Sequence, residues 1–270
     1  MGWKEKDGLR YVVFENLEQS QKVNHCFTSR LGGVSQGVYS GLNLSFTRGE
    51  DRALVEKNYH ILCDALGFQY DSFVLSHQTH TTNIRVVTEK DRGMGLSKAS
   101  EIKDTDALIT NVKGIQLTVF GADCVPVFLL DTQKDAIGMV HAGWRGTANG
   151  IVKKTVEKMQ EVYGTEPKDI LAGIGPSIGQ CCFQVDDPVV SLFQGNLDFA
   201  HEVIQNDPAE AGKYKIDLWK TNQKLLMQAG VPYENIEISK ICTMCHTDLF
   251  YSHRVMGDAR GNMAGIMVLK

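Results

Sequence analysis

The sequence predicts an α+β fold, helices layered on a mixed β-sheet, and three observations carry that expectation. Three segments repeat apolar residues at helical spacing, each stopping at a glycine. Nine short apolar runs have the lengths of strands. The two kinds alternate irregularly along 270 residues with no linker between them. No Pro/Ser-rich tract, charge block or solenoid-length repeat divides the chain, so 1–270 is expected to form a single domain.

Residues 10–14 form the first expected strand, followed by the turn-rich "FTSRLGGVSQGVYSGLNLS" (27–45), in which Arg30, Ser35 and Asn43 either line a pocket or cap turns. "RALVEKNYHILCDALG" places Leu54, Val55, Ile61, Leu62, Ala65 and Leu66 near one helical face and ends at Gly67. Strands are expected at 73–76 and 84–88, on either side of "HQTHTTN", and then an exposed loop over 89–104. The apolar runs 115–120, 125–130 and 136–140 are the next strands. "GIVKKTVEKMQEVYG" carries Ile151, Val152, Val156 and Met159 on one face and stops at Gly164. A strand at 170–174 follows, then a second exposed loop over 205–214. The third helix, "DLWKTNQKLLMQAG", has Asp217 as its N-cap and Gly230 beyond its end. Strands at 235–241 and 263–269 complete the pattern.

Composition narrows the function. With 43% hydrophobic and 22% charged residues the chain has the balance of a globular protein, and the net charge of −4 comes without a basic run. A nucleic-acid surface needs a concentrated Lys/Arg face, so a nucleic-acid partner is not expected, whereas a small polar ligand needs no such field. No stretch is long and apolar enough to span a bilayer or to serve as a signal peptide, so no membrane association and a cytoplasmic location are expected. In a reducing compartment the seven cysteines are free thiols or ligands rather than a disulfide framework.

The apolar strand "FGADCVPVFLLD" carries Asp123 and Cys124, and "HAGWRG" begins seventeen residues after the cysteine. Two imidazoles and a thiolate suit Zn²⁺, and three protein ligands leave a fourth tetrahedral position for water or substrate. Cys124 and His141, with His77 or His80 from "HQTHT", offer that set; each taken alone also reads as a core residue. Copper is the rival metal, but the Cys-His-Met loop of blue-copper sites is missing, and Met139 reads as core. A metal-free Cys124–His141 nucleophile and base would need an orienting group that spacing alone does not supply. In "HAGWRGTANGIVKK" the glycines and the start of a helix offer an anion pocket with Arg145 as its cation, or merely a strand–helix connection. "GIGPSIG" departs from the dinucleotide fingerprint by one residue, and "CTMCH" matches a haem-attachment pattern without its context. Cys242 and Cys245 could join Cys181 and Cys182 in a second metal site.

Taken in order, "TSRLGGVSQGVYSGLNLS", "HQTHT", "DTDALIT", "GADCVPVFLLD", "HAGWRGT", "GPSIGQCCFQV" and "DLFYSHR" resemble the YfiH family, also called the laccase-domain or polyphenol oxidase family, and its Gram-positive bacterial branch most. The pieces span 28–254, nearly the whole chain. The resemblance implies a catalytic Zn²⁺ held by His80, Cys124 and His141, with His77 a neighbour because the family's Gln-x-His pattern falls on Gln78 and His80. Arg30, Asn43 and Gln78 match pocket positions; Asp123 is expected to orient a ligand or to contact substrate, and Arg30 and Arg145 to bind phosphate. The activity implied is purine nucleoside phosphorylase, splitting adenosine, inosine, guanosine or methylthioadenosine into base and ribose 1-phosphate, together with adenosine deaminase. Its partners would be nucleosides and phosphate, and its state a monomer or small homo-oligomer. The other readings are a copper-dependent polyphenol oxidase and a factor or hydrolase that edits cell-wall precursors. Two positions depart from the family: Thr81 replaces its usual glycine, and "GDARGN" its Thr-Gly-Arg, which leaves Arg260 without an assigned role.

Overall fold

The computed structural model describes residues 1–270. A hairpin of β1 (Gly2–Lys6) and β2 (Leu9–Val13) leads into the short helix α1 (Glu15–Gln19) and β3 (Val23–Thr28). Helix α2 (Arg52–Leu66) precedes β4 (Phe73–Leu75), β5 (Ile84–Val86) and β6 (Ala107–Thr110). The central strands are β7 (Gln116–Gly121), β8 (Val125–Asp131) and β9 (Ala136–Ala142). Then come α3 (Trp144–Ala148), α4 (Ile151–Tyr163), β10 (Ile170–Ile174), β11 (Gln184–Val185) and α5 (Asp187–Asn196). The chain finishes with β12 (Ile204–Asn206), β13 (Tyr214–Ile216), α6 (Leu218–Gln228), β14 (Ile236–Ile238), α7 (His253–Met256) and β15 (Met263–Leu269).

The expected layering is present, built on two large sheets rather than one. One has the order β1-β2-β3-β15-β7-β4, the other β14-β10-β8-β9-β6-β5, and β11-β13-β12 form a small third sheet. Both large sheets are mixed: β4–β7, β10–β14 and β5–β6 pair parallel and the rest antiparallel. Alternation along the strands explains the stacking. On β8, Phe128 and Leu130 join Val119 and Met267 of the facing sheet in one core, with Met139 of β9 among them. Val127 and Leu129 turn the other way, against Val152, Val156 and Met159 of α4 and Leu225 and Leu226 of α6. Tyr59 and Leu62 of α2 cover the outer face of the first sheet at Cys26, Ile266 and Val268. Each such fully buried large side chain contributes about 1.5–3 kcal/mol.

All three expected helices form at the expected ends. Gly67 and Gly164 adopt the left-handed conformation at the C-termini of α2 and α4, and the Asp217 carboxylate accepts the Lys220 N–H at the start of α6. The loop expected over 205–214 is instead the tip of a hairpin, whose arms β12 and β13 pair from Ile204↔Ile216 to Asn206↔Tyr214. Strand β3 was not anticipated because Asn24 and His25 interrupt its apolar run.

His25 is 3% exposed, and its Nε2 accepts the Phe14 N–H at 2.9 Å, so the ring is neutral in the fold. Burial, with Lys4 and Lys270 nearby, pushes it down to about 3. The unfolded chain takes up this proton first, so the stabilisation is complete above pH 6.5 and is lost as pH falls towards 3. Between pH 6.5 and 5 the expected loss is about 2 kcal/mol. Urea titrations across that range should show a flatter acid limb for His25→Gln than for the wild type; identical slopes would refute this assignment.

Candidate metal centre

Three neighbouring strands of the second sheet end together and supply most of the site. Cys124 immediately precedes β8, His141 lies near the end of β9, and Asp106 immediately precedes β6. Antiparallel register sets Val125 opposite Ala142 and Ala107 opposite Val140, which places these residues at one edge. The fourth contributor, His80, comes from the connection between β4 and β5, which crosses from one large sheet to the other.

Asp106 organises the centre. Its carboxylate is fully buried and accepts N–H bonds from Thr79, His80 and Thr81 at 3.3, 3.1 and 2.7 Å, as well as the Thr81 hydroxyl at 2.9 Å. The same carboxylate bonds His141 Nδ1 at 2.7 Å, and its backbone carbonyl accepts the His141 N–H at 2.7 Å. His80 has a φ of 64°, unusual for a non-glycine residue, and the ring of amides around Asp106 is what holds it there. Burial works against the Asp106 charge, yet His141 and the Thr81 bonds pull its carboxyl down to about 2.

His80 Nε2 lies 3.8 Å from Cys124 Sγ, and the two imidazole rings meet edge-on at 5.0 Å. One ligand atom each from His80, Cys124 and His141 falls within 4.8 Å of the others. A tetrahedral ion with bonds of about 2.0–2.1 Å to nitrogen and 2.3 Å to sulfur sets a nitrogen–sulfur edge of about 3.6 Å, so the donor set fits one ion. Anchoring His141 through Nδ1 on Asp106 leaves its Nε2 to face the ion, the carboxylate–histidine pairing that fixes a ligand ring. Burial alone would raise the Cys124 thiol, but the charge and hydrogen bond of His141, helped by His80, draw it down to about 6. His141, which burial would lower, is held up at about 9 by Cys124 and Asp106. Thiolate and imidazolium therefore stabilise one another across this pair. Gly143 passes so close that a Cβ there would lie 2.7 Å from the His80 ring and 3.4 Å from Cys124 Sγ.

The three donors open onto a cleft of about 1190 Å³ between the ends of the two large sheets. Of the other sequence candidates, Gln78, Asp123, Arg145 and His77 line it, whereas Arg30 and Asn43 do not. Arg30 donates to the carbonyls of Ser40 and Thr247 and stacks on Tyr251. Asn43, fully buried, bonds Glu50, Ser45 and the Asn262 N–H. Both spend their polar groups bracing the turn-rich segment. Gln78 is braced as well, exchanging bonds with the backbone of Phe120 at 2.6 and 2.8 Å. The Asp123 carboxylate accepts from the Thr243 and Ser252 hydroxyls and the Arg254 N–H at 2.6, 3.0 and 2.7 Å, binding three segments together beside Cys124. His77 Nδ1 accepts the Asp104 N–H at 3.1 Å. Arg145 lies over Trp144 with its guanidinium free, but the helix after His141 is only the five-residue α3 before Gly150 breaks it.

Two further cations lie in the cleft wall: Arg48, which the sequence did not single out, and Arg260, whose role it left open. Arg260 is 5% exposed, and its Nε and that of Arg48 are buried without a partner. Burial, and then the charge of Arg48, push Arg260 down to about 10. Asp106 was missed too, although "DTDALIT" contains it; the usable signal was a carboxylate within reach of a ligand histidine.

Comparison with known proteins gives the centre its context. The profile of the family described as multi-copper polyphenol oxidoreductase laccase matches residues 24–270. A purine nucleoside phosphorylase of Bacteroides thetaiotaomicron is 35% identical, covering 97% of each chain. The adenosine deaminase RL5 of an unknown prokaryote is 36% identical, over 91% of this chain and 95% of its own. The crystal structure of the Bacillus licheniformis hypothetical protein YfiH superposes with a TM-score of 0.92 at 33% identity, covering 99% of both chains.

Proposed function

Since the chain belongs to the YfiH family, the multi-copper polyphenol oxidoreductase laccase family of the matching profile, we propose that it is a zinc-dependent enzyme of purine nucleosides, cleaving them with phosphate and deaminating adenosine. The observation that carries this reading is one cleft holding both a three-ligand His₂Cys centre and two arginines with unpaired buried nitrogens. The names of the relatives, purine nucleoside phosphorylase and adenosine deaminase, support the same substrate class.

In phosphorolysis a phosphate oxygen bonds to ribose C1′ as the C1′–N9 bond breaks, and the purine keeps the electron pair and takes up a proton. In deamination water adds at C6 and ammonia leaves. A zinc ion held by His80, Cys124 and His141 would supply Lewis acidity and would lower the pKa of a bound water to about 7. Asp106 holds the His141 ring through Nδ1, which would leave Nε2 for the ion. Arg260, and Arg48, which is partly exposed and also pairs with Asp258, put two cations in the cleft wall, an arrangement that suits a multiply charged phosphate. Trp144, half-buried in the same cleft with Arg145 over one face of its ring, offers an apolar surface for a base. Copper-dependent phenol oxidation is the weaker reading: delivering four electrons to dioxygen takes several coppers, and only one cluster here contains histidine.

The test incubates metal-analysed protein with adenosine, with and without phosphate, and separates the products. Adenine and ribose 1-phosphate should form only with phosphate, and inosine without it; no purine product above a Cys124→Ala control would overturn the reading. In the same assay Arg260→Gln should raise the KM for phosphate roughly 10- to 100-fold, the worth of one charged hydrogen bond, and leave deamination nearly unchanged. Equal losses in both reactions would remove Arg260 from the phosphate site.

A further inference from the structure

Four thiols meet at a second place in the fold. The segment 175–182, after β10, runs beside 239–246, after β14: the Ser177 N–H bonds the Ile241 carbonyl at 3.2 Å and the Thr243 N–H bonds the Ser177 carbonyl at 3.0 Å. This short parallel pairing sets the vicinal Cys181 and Cys182 against the Cys-x-x-Cys of Cys242 and Cys245. Cys245 Sγ is 3.4 Å from Cys182 Sγ and 3.7 Å from Cys181 Sγ, and all four sulfurs lie within 4.8 Å of one another. A tetrahedral ion about 2.3 Å from each sulfur sets edges of about 3.8 Å, so the quartet has the dimensions of a single-ion site.

The surroundings favour a thiolate at Cys242, whereas burial pushes the Cys181 and Cys182 thiols up while no ion shares their charge. The Gly179 N–H donates to Cys242 Sγ at 3.3 Å, the kind of outer bond that steadies a ligand sulfur. A side chain at Gly179 has no room: its Cβ would lie 2.8 Å from Trp219, 3.2 Å from Cys181 Sγ and 3.3 Å from the Cys242 Cβ. An iron–sulfide cluster sits between thiolates and needs them farther apart than these are. Four protein ligands also leave no open position, which separates this set from the His80–Cys124–His141 centre.

We propose that Cys181, Cys182, Cys242 and Cys245 hold a structural zinc ion that ties the 175–182 segment to the 239–246 segment. On binding, each protonated thiol releases its proton to water as its sulfur takes up the ion, and nothing is oxidised or reduced. The tie reaches the cleft. The same two segments clasp Asp123, through Ile178 N–H to its carbonyl at 2.9 Å and the Thr243 hydroxyl to its carboxylate, and Ile178 lines the cleft wall.

Metal analysis of the full chain, purified with zinc supplied, tests this independently of any activity. The wild type should carry two zinc ions per chain, and Cys124→Ala and the Cys242→Ser/Cys245→Ser double variant one each. The double variant should also melt about 10 °C lower. Should it fail to fold, the wild type decides: cobalt substitution should add the sulfur-to-metal absorption of a four-thiolate site, and this should persist in Cys124→Ala. After chelation and denaturation without reductant, all seven cysteines should titrate as free thiols. A single zinc lost entirely in Cys124→Ala, or a disulfide within the quartet, would overturn the proposal.

Discussion

Replacing Cys124 with alanine is expected to cost the His80–Cys124–His141 centre its ion and the enzyme at least about 100-fold in kcat/KM, since even outer-shell partners of metal ligands are worth 10–100-fold. Fold stability should fall as well, because the thiolate–imidazolium pairing with His141 is lost. Cys124 makes its side-chain contacts with the two ligand histidines rather than with the backbone of a strand or helix. His141, deprived of the thiolate, should lose part of what holds it at about 9 and titrate lower. The measurement is metal content by mass spectrometry beside nucleoside turnover, with the histidine followed by NMR. Full turnover in a variant whose centre holds no metal would separate the chemistry from this centre.

Asp106→Asn should have the second largest effect, by a different route. The carboxylate serves three backbone N–H groups, a hydroxyl and His141 Nδ1 at once. A carboxamide offers one oxygen, and turns an NH₂ towards groups that are themselves donors. His80 would then lose the contacts that hold its positive φ, and His141 the bond that aims its Nε2. Metal affinity should fall 10- to 100-fold, and stability by on the order of 3 kcal/mol, as when one partner of a buried pair is removed. Chelator competition and urea unfolding read the two separately. Unchanged metal affinity would mean that the ligands keep their geometry without Asp106.

Much of the fold was legible because its periodicities are local. The α2, α4 and α6 patterns end at residues that stop helices, and β8 and β9 are apolar on both faces because one sheet and a helical layer enclose them. What escaped was of two kinds. Strands β1 and β3 are interrupted by polar residues, and the four apolar-leaning residues of β6 follow directly on a polar loop. The division into two facing sheets depends on pairings such as β15 with both β3 and β7, strands far apart in sequence.

The site divides in the same way. The residue types of a metal centre, and the order of the segments that carry them, are written in the chain, and they led to His80, Cys124 and His141 and to the family. Spacing by itself left the core reading open for each, because the ligands approach one another only when β8, β9 and the β4–β5 connection end at one edge. An arginine looks alike in sequence whether it only braces a loop away from the cleft, as Arg30 does, or bonds its neighbours Gly261 and Asn262 and still leaves a buried Nε unpaired in the cleft wall, as Arg260 does. Likewise Asp106 becomes the hub of the centre only after His80 adopts a positive φ and turns three consecutive amides towards it. The sequence by itself determined which chemistry is available, since residue type sets ligand hardness, charge and donor count. The tertiary structure alone decided which of those groups converge and which are already spent on the backbone, because hydrogen bonds and ion coordination act over a few ångströms and only folding brings residues this distant in sequence so close.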